Sequence, residues 1–109
     1  MAYRFVRAHP KFSRLPALRK RLDNSEIERM NPYGRAMTKS LNDLRFDPET
    51  GEALWVEEDY CTPPLAMERE VLDQYFDDLI IVEADVNETE GWERIEEYPL
   101  LWDEITGEA

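Results

Sequence analysis

The chain has 109 residues, 35% of them charged, a formal net charge of −12 and one cysteine, Cys61. That length fits one domain with one modest core, and a lone cysteine excludes an internal disulfide and any zinc site built from several cysteines. No apolar run approaches the ~18 residues of a membrane-spanning helix.

The charge is divided along the chain. Arg4, Arg7, Lys11, Arg14, Arg19, Lys20 and Arg21 give the first 21 residues seven cations and no acid; the other six cations and all 25 acids follow from Asp23 onward. A +7 head on a strongly acidic body predicts association more than chemistry. The start has no apolar stretch behind its basic residues, so it does not read as a secretory signal. Pro10 and Pro16 interrupt the helix that an organelle presequence needs. A reducing, cytoplasmic setting is expected.

Tyr3 to Val6 reads as a short strand or an extended arm, ended at His9-Pro10 because the residue before proline avoids helix. Ser13 is placed to cap a helix with Pro16 in its first turn. Leu15, Leu18 and Leu22 share one face of it. Ser25 and Glu28 match the capping box, which predicts a second short helix. Asn31-Pro-Tyr-Gly34 reads as a turn. Residues 40–60 read as a β-hairpin: Asp47-Pro48 opens a type I turn, and Gly51 supplies the positive φ from which the second strand leaves. Cys61-Thr-Pro-Pro64 ends that strand.

Residues 65–76 fit two patterns. Leu65, Met67, Arg69 and Val71 alternate as in a strand, whereas Met67, Val71, Leu72, Tyr75 and Phe76 fit a helix face. Leu79-Ile-Ile-Val82 reads as a buried strand. Beyond Asn87 the chain is acidic and punctuated by Trp92, Ile95, Tyr98, Leu100, Leu101, Trp102 and Ile105. The expected class is α+β, with short N-terminal helices, a hairpin near 40–60, a small, mostly antiparallel sheet and extended arms at both ends. The expected division is a basic arm over 1–36, a β-rich core over 37–86 and an acidic, aromatic arm over 87–109.

The chemistry-bearing residues are sparse. His9 is the only histidine and sits before proline in basic surroundings, so a solvated or packing role is expected. Cys61 follows Glu57, Glu58 and Asp59, whose charges would raise a thiol pKa, and reads as a small buried residue. Asp85 to Glu96 echoes a calcium loop, but Glu90 stands where the sharp turn needs glycine and Gly91 comes one residue late. Asp77-Asp78 and Glu57–Asp59 read as surface carboxylates. No catalytic, cofactor-binding or metal-binding residue is assigned, and no cofactor is expected. The predicted function is that of a non-catalytic accessory subunit that docks on larger protein chains, with neither nucleic acid nor membrane as partner. Its predicted interface residues are Arg4, Arg7 and Arg14 in the basic head and Trp92, Tyr98 and Trp102 in the tail, since aromatic anchors mark interfaces; the other reading of the tail is that it folds back on the chain's own core. The alternative is an acidic inhibitor or nucleic-acid mimic that occupies a basic groove.

One segment carries a family resemblance. Glu58-Asp-Tyr-Cys61-Thr-Pro-Pro-Leu-Ala-Met-Glu-Arg-Glu-Val71 resembles the zinc-ribbon half-site of the small subunits of ATP-dependent ketone carboxylases, the acetone and acetophenone carboxylase type related to hydantoinases. Tyr60-Cys61 matches the aromatic-cysteine start, Pro63 or Pro64 the proline, Leu65 the leucine and Glu68–Val71 the acidic-apolar strand. Pro64 stands in place of the second cysteine and the upstream pair is missing, so four zinc donors are not supplied. The resemblance implies a zinc-free structural clamp on larger subunits that carry the ATP and substrate chemistry.

Overall fold

In the computed structural model, which describes residues 2–60 and 63–106, the fold is α+β. Strand β1 (Ala2–Pro10) is followed by a 3-10 turn (Phe12–Arg14) and helix α1 (Leu15–Asp23). After a run of turns come α2 (Gly34–Asn42), β2 (Arg45–Asp47), β3 (Glu52–Asp59) and the short α3 (Arg69–Leu72). The chain closes with β4 (Phe76–Glu83), α4 (Glu88–Glu93) and α5 (Leu101–Thr106). The strands form one sheet in the order β2-β3-β1-β4, and every neighbouring pair is antiparallel. A β-α-β-β-α-β chain in that order is the connectivity of the split β-α-β, ferredoxin-like arrangement. No helix among the described residues is long and apolar enough to cross a membrane.

Residues 2–10 are not an arm. Their strand sits inside the sheet, paired with β3 from Ala2↔Asp59 to Ala8↔Ala53 and with β4 from Phe5↔Glu83 to Pro10↔Phe76. Alternation explains the placement. Val6, Ala8 and Pro10 point into the core, while Arg7 and His9 point to the other face. In sequence Tyr3 to Val6 reads as a short strand or an extended arm, and the strand is longer, nine residues. The alternation of buried and exposed side chains is clean from Val6 to Pro10.

Helix α1 forms as the leucine spacing predicts, with Leu15, Leu18 and Leu22 buried and a proline in its first turn. No side chain caps it, so Ser13 plays no capping role. The predicted helix at Ser25 is absent. Ser25 takes φ 61°, in the left-handed region, whereas a capping residue needs an extended backbone. The chain turns there instead and runs against the start of α2. A Cβ on Gly34 would lie 2.4 Å from the Ile27 carbonyl oxygen, so only glycine fits at that crossing.

The hairpin forms across β2 and β3, with Gly51 at φ 76° and its N–H donating to the Asp47 carbonyl at 2.8 Å. Residues 40–42, expected in the hairpin, finish α2 instead. The ambiguous stretch 65–76 resolves into turns and α3 up to Tyr75, with Phe76 opening β4 and Leu65, Val71 and Leu72 in the core.

The C-terminal segment folds back on its own core. Leu101 N–H donates to the Leu44 carbonyl, Phe46 N–H to the Pro99 carbonyl, and Arg45 bridges to Leu100 as a lone β-pair. Leu101 and Trp102 are buried. The expected 87–109 arm is thus a cover for the hairpin and α2 as far as it is described. Deleting residues 2–12 is expected to abolish the cooperative unfolding transition, because it removes the strand that joins both halves of the sheet. A truncated chain that still melted cooperatively would contradict this placement.

Candidate functional site

The basic head is largely spent inside the molecule. Arg4 Nε sits 2.8 Å from Asp59, and its Nη1 donates to the Ala84 carbonyl. Arg7 lies 3.7 Å from Glu52, Lys11 3.6 Å from Asp77, Arg19 2.9 Å from Asp23 and Arg21 2.6 Å from Glu26. Five of the seven N-terminal cations therefore face carboxylates of their own chain. The exposed pairs contribute little stability each. They do remove the separate +7 surface that the sequence implied. The acidic excess collects later: residues 83–104 hold nine Asp or Glu and one cation, Arg94.

The two sheet faces differ. One face carries Val6, Ala8, Ala53, Trp55 and Phe76 into the helical side, where Trp55 and Phe76 lie 5.0 Å apart between ring centroids. The other carries Phe5, Arg7, Leu54 and Val56. Helix α4 packs over part of it, so closely that a Cβ on Gly91 would meet Val56 Cγ2 at 2.7 Å. Beside α4 the face stays open as a shallow cleft lined by Phe5, Arg7, Leu54, Val82, Arg94 and Tyr98. Arg94 spans its rim, 2.6 Å from Glu83 and 5.6 Å above the Phe5 ring.

The six residues expected at an interface separate. Arg7 and Tyr98 meet in this cleft. Trp92 is half-buried in a crevice between α2 and α4, beside Tyr3 and Lys39. Arg14 is exposed on the opposite, helical side, in the turn before α1. Two are corrected. Arg4 is held against Asp59, whose side chain is 1% exposed. Trp102 is buried in this chain's own core, where its Nε1 donates to the Leu41 carbonyl at 2.6 Å and the Arg19 guanidinium stacks 4.8 Å above its ring. A side chain packed that way has no surface left for a partner.

Two features were missed in the sequence. The first is a set of buried carboxylates. Glu57, Asp59 and Glu68 are all buried, although the first two read as surface groups. Glu57 points the same way as Trp55, two residues earlier on the same strand, and that period was the available signal. Its Oε1 accepts from Trp55 Nε1 at 3.0 Å and from Ser40 Oγ at 3.2 Å; its Oε2 is buried with no hydrogen-bond partner. Burial pushes the Glu57 carboxyl up to about 8, against the pull of those two donors, with the charges of Glu68 and Asp59 adding to the rise. Asp59 Oδ1 accepts from Leu65 N–H, and Glu68 Oε2 from Tyr60 N–H. These bonds anchor both ends of the 60–68 loop. No group of three or more metal-ligating side chains comes together among the described residues, and Cys61 lies outside them.

The second is the sheet edge. Strand β4 was expected to be buried. Leu79 is, but Ile80 and Val82 are 43% and 50% exposed. The strand forms the outer margin of the sheet, and β1 is its only strand neighbour among the described residues. Comparisons with protein-family models, with characterised proteins and with solved structures found no match to this chain.

Proposed function

We propose that the chain is a non-catalytic accessory subunit that docks on larger protein chains. The supporting observation is the β4 margin, where a free strand edge and two exposed β-branched side chains occur together. Free edges of this kind template pairing with another chain unless they are covered. The host complex we propose is an ATP-dependent carboxylase of the acetone or acetophenone carboxylase type, in the cytoplasm. That finer reading rests on the resemblance at residues 58–71. In this segment Leu65 and Val71 pack into the core, and Glu68 ties the loop to Tyr60, although Arg69–Leu72 is helical where the resemblance implies a strand. Native purification of the tagged chain tests the reading. Larger subunits in fixed ratio and an ATP-dependent carboxylating activity are expected. A chain recovered alone from every fraction would defeat it.

A second reading has its own observation. A free basic head would spoil nucleic-acid mimicry, but five of its seven cations are paired with carboxylates of the same chain. The acidic 83–104 surface is then free to occupy a basic groove on a nucleic-acid-binding protein. Competition by the chain for such a protein's nucleic acid, lost at high salt, is the outcome that distinguishes this reading from the first.

A further inference from the structure

The docking reading leaves open what the partner offers, and the charge pattern along β4 answers that. The strand starts with Asp77 and Asp78 and ends with Glu83, and Asp85 follows two residues later. Lys11, His9 and Arg94 contact three of these four carboxylates, all through exposed pairs. Two full cations thus stand against four acids. Between the acidic ends, Leu79 to Val82 is wholly apolar. Register shifts interrupt the pairing with β1 on either side of Ile80 and Ile81, one across residues 78–79 and one at Val82, and Asp78 takes φ 56° at the first of them. The straight part of the edge is therefore short and apolar, with negative charge at each end.

We propose that the free edge of β4 is an augmentation site for an extended partner segment in which two or three β-branched residues are flanked on both sides by Lys or Arg. Main-chain hydrogen bonds to the edge would provide the ladder, as in other strand-addition complexes. Ile80 and Val82 would receive the partner's apolar side chains on the open face. Flanking cations would meet the acidic ends. A second copy of this chain does not fit. Antiparallel self-pairing with matched faces sets Asp77 opposite Glu83 when Ile80 faces Ile80, and opposite Asp85 when Ile81 faces Ile81. Like charges directly opposite destabilise such a pair, and each copy already carries −12.

The test uses the full chain, isotope-labelled, and three synthetic peptides. One is Lys-Lys-Val-Thr-Val-Lys-Lys, capped at both ends. One has the same centre flanked by Glu. One keeps the lysines but has Pro at the centre, which prevents a ladder without changing the charge. The first peptide is expected to bind at least tenfold more tightly than either control at low salt, with amide shifts centred on residues 79–83. Adding salt should shrink its advantage over the Glu peptide and leave the location of the shifts unchanged. Equal binding of the lysine and proline peptides, shifts spread over the 83–104 acidic surface, or self-association through 79–83 would each overturn the proposal. The double variant Ile80→Lys/Val82→Lys replaces exposed side chains and should keep the fold while losing the shifts. Asp77→Asn/Glu83→Gln should bind the Lys and Glu peptides alike, which keeps the test sharp if the lysine variant misfolds. The proposal rests on the docking reading, yet the two fail differently. A native complex that assembles equally well with the Ile80→Lys/Val82→Lys chain removes the β4 site and leaves the subunit reading standing.

Discussion

Replacing Glu57 by Gln is expected to raise the thermal midpoint at pH 8.5 by about 20 °C, with a much smaller gap at pH 5. The sign follows from where the proton is held. In the unfolded chain the carboxyl titrates near its ordinary value of 4.5; in the fold, burial moves it to about 8. Below 4.5 both states carry the proton and the group has no effect on the balance. Between 4.5 and 8 the unfolded chain releases the proton while the fold retains it. Stability therefore falls by about 1.4 kcal/mol per pH unit across that window. Above 8 both states are ionised and the loss levels off, on the order of 5 kcal/mol in all. Typical domains have about 5–15 kcal/mol to lose. Glutamine keeps the oxygen that accepts from Trp55 and Ser40 and carries no charge, so the slope from this group should vanish. Asp59, Glu68 and Arg4 remain in both proteins, so the difference between the two profiles isolates residue 57. Parallel midpoint-versus-pH curves would show that Glu57 is solvated.

Trp102→Ala is expected to cost about 3–5 kcal/mol, the range for truncating a buried tryptophan. The ring is 6% exposed, closes the core beneath α2 and supplies the hydrogen bond to the Leu41 carbonyl near the end of that helix. Its loss also leaves the Arg19 guanidinium without its stacking partner. Trp102→Phe should cost less, because much of the burial is kept and mainly the Nε1 bond is lost. Chemical denaturation monitored by circular dichroism reads both. An alanine variant as stable as the parent would mean that the C-terminal segment is not part of the core.

Periodicity was the readable part of this sequence. Leu15, Leu18 and Leu22 announced α1, and Asp47-Pro48 with Gly51 announced the hairpin, because local backbone chemistry decides both. The ends misled because charge was read as exposure. Arg4 lies on a buried face because a partner 55 residues away, Asp59, meets it there. Glu57 is interior because Trp55 and Ser40 supply donors. Neither pairing leaves a local mark. The capping box at Ser25 was a true pattern overridden by the turn that must bring Ile27 against Gly34. The β4 edge was hidden for another reason. Leu79 to Val82 is apolar throughout, and strand order alone decides which of those side chains meets solvent.

Amide hydrogen exchange, measured on the free chain and on the native complex, tests the account most directly. In the free chain, Val6 and Ala8 should be among the slowest amides, because β1 is paired on both sides. The outward amides of residues 79–83 should exchange quickly in the free chain and slow sharply in the complex. If residues 79–83 exchange alike in both samples while residues 2–10 gain protection only on assembly, the N-terminus is a docking arm and the sheet edge is not the interface.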